Sequence, residues 1–508
     1  MIDMPQTTTL LGVDLGTSSV KAVVARLDGT VVAQARRDYP VSHPRPGWSE
    51  TSASDWLDAS AAAVRAAVAQ AGSQPDAIGL SGQMHGVVLA TENGRAVRPA
   101  VVWSDARAVD QVEQYDDLPE QLLTRLANPL SPGMAGPLLA WLTIHEAATY
   151  RAARWALQPK DWLRAQLTGL FATEPSDASA TLLYDISGDT WDTELLDALG
   201  LDADKLPPIL DRSAEPAGLL TADAAARLGL RPGVPIAAGA ADTAAAALGS
   251  QLTEPGTMQL TIGTGAQLVM PVAERPEPLP AHPVTHLYRA ATDTGWYRMA
   301  AVLNGGLTLD WVRRALGAGW PELYAAAGVP PQADDPYFLP HVNGERTPYL
   351  DPSLRGAWTG LGPRHDRIHL LRAALEGVAF AVRDALDSLD PTGEIAGLHL
   401  AGGGTTDPQW RQMLADVLGR TLVPVEVPAA SGLGAAVLGA RATGLTDRFP
   451  SRDSFATSRN DPRSHRHDLY HDRHAAFRRK VRALRDSDST TVGTYAGSAP
   501  HGAASASG

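Results

Sequence analysis

Two similar segments, each made of a strand, a glycine-containing turn and a second strand, lie about half a chain length apart. The first, Leu10–Val24, reads LLGVDLGTSSVKAVV, and the second, Thr257–Met270, reads TMQLTIGTGAQLVM. Apolar runs on both sides of a polar turn are typical of β-hairpins. Their recurrence favours an internally duplicated architecture in which each half of the chain contributes one such hairpin.

Further strands and several helices are predicted between and after these hairpins. Helical spacing of apolar residues predicts helices at 52–71, where Ser and Asp are capping candidates, and at 366–389, 409–419 and 431–444. Apolar runs predict strands at Ala77–Leu80, Pro99–Trp103, Val234–Ala241 and Gly397–Gly404. A chain of 508 residues exceeds one ordinary core, so we expect more than one domain. The Ser/Thr/Gly/Ala-rich segment 485–508 is predicted to be a disordered tail.

The composition excludes several classes of protein. Without cysteine the chain forms no disulfide, no catalytic thiol and no Cys-ligated zinc site. A net charge of −13 argues against nucleic acid as the main partner, because a phosphate backbone requires a basic surface. The N-terminus lacks a signal-peptide pattern, and no window offers the roughly 20 apolar residues of a membrane span. We therefore expect a cytoplasmic protein with small-molecule substrates and no membrane partner; the oligomeric state stays open, with a homodimer as one option.

The turn of the first hairpin contains groups that suit a phosphate. Gly16 lets a ligand approach the backbone closely. The hydroxyls of Thr17 and Ser18 can donate to phosphate oxygens, and Asp14 can hold Mg²⁺ directly or through water. Gly263-Thr264-Gly265 forms a similar turn in the second hairpin, and phosphoryl transfer needs several donors around the β- and γ-phosphates. The alternative interpretation of each segment is an ordinary hairpin turn.

Asp242 is the candidate for a catalytic base. It follows an apolar strand in the run GAADTAAAAL and has no evident salt-bridge partner in the sequence. A buried carboxylate is costly without a task, and this one could take a proton from a substrate hydroxyl that attacks a γ-phosphate. The alternative is an N-cap of the alanine-rich helix that follows, and these residues alone favour the cap.

A polar segment after the strand at Ala77–Leu80 is the candidate substrate-binding element. In Gln83-Met84-His85-Gly86, Met84 can make apolar contact with a polyol and His85 can form a hydrogen bond with it. We expect Trp103 to contact the substrate as well. The alternative is a half-buried histidine with satisfied hydrogen bonds, together with tryptophans that belong to the core.

A third glycine-rich segment, Gly402–Gly404, follows a predicted strand and precedes Gln409. It allows close approach of a flat ligand such as adenine, and the alternative is a strand-to-helix turn. Four histidines lie near the C-terminus, of which His467 and His471 are four residues apart and could share a metal, although a solvated polar face is favoured. The chain has no P-loop signature, so any ATP binds by another scheme.

Several of these motifs, in this order, resemble the FGGY family of carbohydrate kinases and most strongly its xylulokinase branch. Gly12–Ser18 is similar to the family's first phosphate loop, and 356–361 with 369–376 fits its C-terminal signature in residue types and spacing. The stretches 340–348 (PHVNGERTP) and 401–419 (AGGGTTDPQWRQMLADVLG) are similar to those of xylulokinases. The resemblance covers residues 10 to 480.

The resemblance implies an α/β fold of two actin-like, ribonuclease H-like domains of the hexokinase–Hsp70–actin superfamily, with a cleft between them. The implied domains are 8–245, for sugar binding and the first phosphate loop, and 246–484, for the nucleotide. The implied reaction transfers the γ-phosphoryl group of ATP, with Mg²⁺, to the C5 hydroxyl of D-xylulose.

The resemblance also implies a role for each candidate residue. Asp242 matches the family's catalytic base, and Met84 and His85 match its sugar-contacting pair, next to Gln83. The remaining residues match the metal and nucleotide contacts, namely Asp14 for the metal, Thr17, Ser18, Gly263, Thr264 and Gly265 for the phosphates, and Gly402, Gly403, Gly404 and Gln409 for the nucleotide region.

Three positions depart from the family pattern, namely Thr243 after the base, Leu138 where a Lys is usual, and Ala266 after the second phosphate loop. Kinases of ribulose, gluconate, glycerol or a deoxy sugar are alternatives within the family. Glycerol is disfavoured because Gln83–Gly86 stands where glycerol kinases carry Asn-Gln-Arg-Glu. A non-catalytic nucleotide-binding protein of the same fold is an alternative from another class.

Overall fold

The computed structural model describes residues 8–446 and 459–492, which divide into two compact units. The first unit comprises the described residues within Met1–Gln259, Val269–Met299 and Val425–Ala456. The second comprises those within Leu260–Leu268, Ala300–Pro424 and Thr457–Gly508. The domain boundaries 8–245 and 246–484 stay a prediction.

Most of the strands are short, and both predicted hairpins form. In chain order the strands are β1 Thr9–Leu15, β2 Ser19–Arg26, β3 Val31–Asp38, β4 Glu50–Thr51, β5 Ala77–Gly82, β6 Val88–Ala90, β7 Ala100–Val101, β8 Trp155–Leu157, β9 Tyr184–Asp185, β10 Thr190–Trp191, β11 Pro216–Leu219, β12 Pro235–Ala237, β13 Ala240–Ala241, β14 Gln259–Ile262, β15 Ala266–Val272, β16 His286–Arg289, β17 Trp296–Val302, β18 Tyr337–Leu339, β19 Ala357–Thr359, β20 Gly397–Ala401 and β21 Thr421–Pro424.

The predicted helices form to within a few residues of the expected ends. In chain order the helices are α1 Ala53–Ala71, α2 Val109–Asp116, α3 Glu120–Leu126, α4 Ala135–His145, α5 Ala147–Ala152, α6 Pro159–Thr168, α7 Pro175–Ala178, α8 Thr193–Ala198, α9 Ala222–Leu228, α10 Asp242–Gly249, α11 Gly306–Ala315, α12 Trp320–Ala325, α13 Arg367–Leu389, α14 Pro408–Leu418, α15 Ala430–Ala442 and α16 Ser464–Val492, with short 3-10 turns at Ala203–Lys205, Ala326–Gly328 and Gly403–Thr405.

The main sheet of the first unit has the strand order β11-β12-β5-β1-β2-β3, and β13 also pairs with β5. Strand β1 is antiparallel to β2 and parallel to β5, while β12 and β13 both run parallel to β5. The carboxyl ends of β1, β5 and β13 therefore meet at one edge of the sheet. Ligands of open α/β sheets bind outside such carboxyl ends.

Helix α15 lies directly on this sheet because glycines of the strands meet glycines and alanines of the helix at the closest contacts. A Cβ on Gly12 of β1 would lie 1.8 Å from the carbonyl oxygen of Gly432. A Cβ on Gly79, the partner of Gly12 in β5, would lie 1.7 Å from the carbonyl oxygen of Ala435. Helix α15 thus packs against one face of β1 and β5, the two strands that end at the candidate site.

The predicted strand at Val234–Ala241 is wrong in one respect, because it is divided into β12 and β13. Gly239, between them, has a φ of +88°, which favours glycine. A Cβ there would lie 2.5 Å from the carbonyl oxygen of Leu80, so the chain can turn at this point only without a side chain.

A six-stranded sheet has the strand order β16-β17-β15-β14-β20-β21, and β20 is parallel to β21. The long helix α13, capped by Asp366, packs against α14 and β18. Helix α16 is tied to α13 by Arg473, whose guanidinium donates to Glu376 at 2.8 Å.

Helix α16 runs to Val492, so residues 485–492 of the predicted tail are helical, and the rest of that prediction falls on residues 493–508, outside the described ones. Among the described residues, every helix is either too short or too polar to cross a membrane.

Candidate active site

Asp14 lies near the carboxyl end of β1 and is almost fully buried, with 6% of its surface exposed. The hydroxyl of Ser81 donates to its Oδ1 at 3.2 Å, and the ammonium of Lys21 lies 4.0 Å from its Oδ2. Burial raises the pKa of Asp14, and Lys21 opposes this rise. A buried carboxylate of this kind fits a divalent cation, because the cation would stabilise its charged form.

The turn after Asp14 is held by hydrogen bonds from several elements. The Gly16 amide donates to the Ser19 carbonyl at 3.0 Å, and the Tyr39 hydroxyl donates to the Gly16 carbonyl. The indole of Trp103 donates to the Thr17 hydroxyl oxygen at 2.8 Å. Thr17 is half-buried and Ser18 is exposed, so the turn keeps hydroxyl groups at the surface of the first unit. Two predicted residues, Thr17 and Trp103, are thus brought together.

Asp242 is the first residue of α10 and follows Ala241, the last residue of β13. Ala240 and Ala241 pair with Ser81 and Gly82 of β5, and Asp14 pairs with Ser81 from the other side of β5. The two carboxylates therefore lie at the same sheet edge, separated by one strand. The capping interpretation of Asp242 is wrong, because Ala241 occupies the N-cap position without any side-chain cap.

The electrostatic environment makes Asp242 a weaker acid than an ordinary aspartate. Burial, and then the nearby charge of Asp14, raise the pKa of Asp242 to about 7, although its amide and hydroxyl contacts with Thr243 partly oppose the rise. The Thr243 hydroxyl donates to Asp242 Oδ1 at 3.2 Å. A carboxylate with a pKa close to neutrality is suited to accept a proton from a substrate hydroxyl.

Gln83, Met84 and His85 directly follow β5 and lie at the same sheet edge. Gln83 is fully buried, and its amide group donates to the Gly16 carbonyl at 3.4 Å. His85 is half-buried with a φ of +73°, a backbone conformation that non-glycine residues adopt at a cost of about 1–3 kcal/mol. Its Nδ1 lies 2.7 Å from the Ala180 carbonyl and must donate, because a carbonyl oxygen accepts. Strain of this type is typical of functional sites.

The second phosphate-type turn, in the second unit, is shaped by close backbone packing. Gly263 and Thr264 are exposed, and their carbonyls accept the amides of Gly306 and Leu307 at 2.9 Å. A Cβ on Gly265 would lie 2.5 Å from the Val302 carbonyl oxygen. The turn therefore packs against the start of α11 and requires glycine at position 265.

The third glycine segment lies next to the second one in the same unit. Strand β20 neighbours β14 in the sheet, and a Cβ on Gly402, whose φ is +97°, would lie 2.3 Å from the Ile262 carbonyl oxygen. Gly402 and Gly403 are exposed, Gly404 is half-buried, and Gln409 is exposed in the first turn of α14. Gly402 and Gly404 therefore lie beside Ile262 at the end of β14, next to the turn Gly263–Gly265, whereas Gln409 lies in α14 beside Gly328.

The C-terminal histidines serve the packing of α16. His467 Nδ1 donates to the Asp416 carbonyl, His471 contacts Arg383, and His474 Nε2 lies 2.9 Å from Asp384. Within residues 8–446 and 459–492, no three His, Asp or Glu side chains are arranged to hold a metal ion. The metal interpretation of these histidines therefore has no support.

Comparisons with known proteins decide the family. The model of the N-terminal domain of the FGGY family of carbohydrate kinases matches residues 9–249, and that of its C-terminal domain matches residues 258–443. The chain belongs to the FGGY family of carbohydrate kinases.

The relatives of this FGGY kinase include xylulose kinases and a glycerol kinase. It is 35% identical to the xylulose kinase of Escherichia coli K12 over 81% of its own length and 85% of the relative. It is 33% identical to the glycerol kinase of Alkalilimnicola ehrlichii over 93% of its own length and 97% of the relative. A xyloylose kinase crystal structure from Brucella ovis superposes with a TM-score of 0.87 at 33% identity, covering 94% of this chain and 99% of that one. The two-domain, actin-like α/β fold expected from the sequence is confirmed, and with it membership of a family of carbohydrate kinases.

Sequence reasoning missed three residues of this FGGY kinase's candidate site, Lys21, Ser81 and Tyr39. Lys21 could have been found, because the register of a hairpin that turns at Gly16–Ser18 pairs it with Asp14. Ser81 and Tyr39 come from other strands, and no local pattern indicates them.

The three positions that depart from the family pattern have different surroundings. Thr243 contacts the base directly. Leu138 is fully buried in the apolar core of the first unit, and Ala266 begins β15.

Proposed function

We propose that this FGGY kinase transfers the γ-phosphoryl group of MgATP to the C5 hydroxyl of D-xylulose, which gives D-xylulose 5-phosphate and ADP. In this proposal Asp242 takes the hydroxyl proton as the oxygen attacks phosphorus. The observation that carries the proposal is the partly buried Asp242 carboxylate, with a pKa of about 7, at the sheet edge that also holds Asp14 and Gln83–His85. A general base whose pKa is near the working pH is deprotonated to a substantial extent and is still basic enough to accept the hydroxyl proton.

The sugar would contact the segment after β5. Met84 and His85 would contact the sugar. Gln83 donates to the Gly16 carbonyl and Trp103 donates to the Thr17 hydroxyl, so both would hold the first phosphate turn beside the sugar. The Nδ1 atom of His85 donates to the Ala180 carbonyl, and this hydrogen bond fixes the orientation of the ring.

The family resemblance assigns nucleotide contacts to residues in each half of the chain. Thr17 and Ser18 would donate hydroxyls, and the turn Gly263-Thr264-Gly265 would offer backbone amides, to the phosphates. Asp14 would hold the Mg²⁺ of MgATP, and Gly402–Gly404 with Gln409 would lie against the nucleoside. Since the donor is ATP, we place the reaction in the cytoplasm.

Glycerol is the second candidate substrate, because a glycerol kinase is among the long matches at 33% identity. The segment Gln83-Met84-His85-Gly86 argues for a pentulose instead, since it differs from the Asn-Gln-Arg-Glu expected of glycerol kinases. The same fold is also compatible with a kinase of ribulose, gluconate or a deoxy sugar, and with a nucleotide-binding protein that has no turnover.

A substrate panel with coupled ADP detection tests the proposal. We expect kcat/KM for D-xylulose to exceed that for D-ribulose, gluconate and glycerol by about 100-fold, because a site built for one hydroxyl pattern rejects others. A preference for glycerol would overturn the proposed substrate, D-xylulose, but would still agree with kinase activity. ATP binding without turnover on any sugar would favour the non-catalytic class.

A further inference from the structure

The four residues before Asp242 contain no functional side chain. Ala238, Gly239, Ala240 and Ala241 are all buried, and they link β12 to α10. The position of the Asp242 carboxylate at the sheet edge therefore depends on what holds this backbone.

Hydrogen bonds from distant parts of the first unit hold this segment. The Gly239 amide donates to the Ser213 carbonyl at 3.0 Å, and the Ala241 amide donates to the Ser176 hydroxyl oxygen at 3.0 Å. The Ala238 carbonyl accepts from the Arg164 guanidinium at 2.7 Å. The Ser176 contact is the nearest of these to the base, one residue before it.

One buried carboxylate, that of Glu174, connects two of these anchors. Its Oε1 accepts the Ser176 hydroxyl at 2.7 Å, which leaves the Ser176 oxygen to accept the Ala241 amide. Its Oε2 accepts the Ser213 hydroxyl at 2.6 Å, and the Ser213 carbonyl in turn accepts Gly239. Glu174 has no exposed surface, and it also caps α7.

Glu174 belongs to a buried ionic cluster around Lys160. Lys160 Nζ lies 3.6 Å from Glu174 Oε1, 2.6 Å from Asp161 and 3.3 Å from Asp177, and all four residues are fully buried. Burial raises the pKa of Asp177 well above its ordinary value, despite the opposing charge of Lys160. Buried charges of this kind are often no more stabilising than apolar residues, so their presence beside the backbone segment before Asp242 favours a role other than stability.

We propose that Glu174 and Ser176 are positioning residues that fix the backbone of Asp242 through the Ala241 amide. The inference rests on the proposed role of Asp242 as base. Neither side chain reaches the surface of the first unit, so neither contacts substrate; each acts on where the carboxylate lies.

Ser176→Ala and Glu174→Gln test the inference with the substrate that the panel selects. Ser176→Ala removes the acceptor of the Ala241 amide, and Glu174→Gln replaces one of the two accepting oxygens with an amide donor. We expect kcat to fall about 10- to 100-fold, because small misplacements of reacting groups are costly, with the sugar KM within about twofold. The acidic limb of the kcat/KM profile should move below about pH 7, because a displaced Asp242 is better hydrated.

Asp192→Asn is the matched control. Asp192 is also a buried capping carboxylate of the first unit, accepting the Leu195 amide at 3.0 Å, but it makes no contact with residues 238–241. We expect this variant to lose thermal stability comparably while keeping kcat and the pH profile. A purely structural role of Glu174 would predict the same behaviour for both variants.

Asp242→Asn in the same assay separates the two proposals. Loss of turnover in Asp242→Asn, with kcat of Ser176→Ala and Glu174→Gln equal to that of Asp192→Asn, would overturn the positioning inference and leave the kinase proposal standing. Full turnover in Asp242→Asn would overturn both. A fall in kcat of Ser176→Ala alone, with the shifted acidic limb, supports the inference even if Glu174→Gln fails to fold.

Discussion

Replacing the carboxylate of Asp242 by the amide of Asn should weaken catalysis and stabilise the fold in the same variant. The two side chains have nearly the same shape, so the change removes a charge and a proton acceptor and little else. Asp242 is held in partly buried surroundings beside a second carboxylate, Asp14, which is an unfavourable place for a charge. A group retained at such a cost should be needed for function.

The loss of activity follows from the role of a general base. Proton transfer by a positioned side chain contributes about 10²- to 10⁴-fold, and we expect kcat of Asp242→Asn to fall by that factor. In the wild type, kcat/KM should fall with decreasing pH below about 7, where Asp242 becomes protonated.

The gain in stability follows from the pKa of Asp242, about 7 in the folded chain against about 3.9 in an unfolded one. Between about pH 4 and pH 7 the folded state binds more protons than the unfolded state, so stability falls as pH rises through this window. A difference of about 3 in pKa corresponds to about 4 kcal/mol, and the partial exposure of the carboxylate reduces it. We therefore expect Asp242→Asn to be about 1–3 kcal/mol more stable than wild type at pH 8, with a smaller gain at pH 5.

Melting temperatures at pH 5 and pH 8, combined with coupled ADP release, measure both effects. Asp223→Asn is the matched control, because Asp223 also lies in the first turn of a short alanine-rich helix, α9, but is exposed. It should leave turnover unchanged and change the melting temperature little at either pH. Turnover of Asp242→Asn within a few-fold of wild type, or a melting temperature at pH 8 below that of wild type, would refute the reasoning.

Two further predictions concern the glycine-containing turns. Thr17→Val removes the acceptor of the Trp103 indole and a hydroxyl of the phosphate turn. We expect the KM for ATP to rise about tenfold, because hydrogen bonds to charged groups contribute about 1.5–3 kcal/mol. Thr17→Ser keeps the hydroxyl and should keep the wild-type KM, whereas an unchanged KM in Thr17→Val would argue against a phosphate contact. Gly402→Ala places a Cβ 2.3 Å from a backbone oxygen at a φ of +97°, so we expect a loss of about 1–3 kcal/mol, visible as a lower melting temperature. Gly403→Ala, whose Cβ would meet nothing within 4 Å, should melt like wild type, and equal melting of both variants would contradict the packing argument.

The sequence determined the local features of this kinase. Apolar runs around Gly/Thr/Ser turns predicted both hairpins, and the identities of Asp14, Thr17 and Asp242 as candidates followed from residue chemistry. Short-range patterns suffice for such features because strand alternation, turn chemistry and hairpin register involve neighbouring residues. The same register would have given Lys21 opposite Asp14.

The tertiary structure decided the position of Asp242 in helix α10 and the chemical environment of its carboxylate. The sequence favoured a helix cap, but pairing of Ala240 and Ala241 with β5 ends the strand one residue before Asp242 and leaves Ala241 as the N-cap. The raised pKa of Asp242 and the anchoring of Ala241 by Ser176, 65 residues away, depend on burial and on contacts between distant segments. Such properties arise only when the chain folds, because desolvation and long-range hydrogen bonds have no counterpart in local spacing.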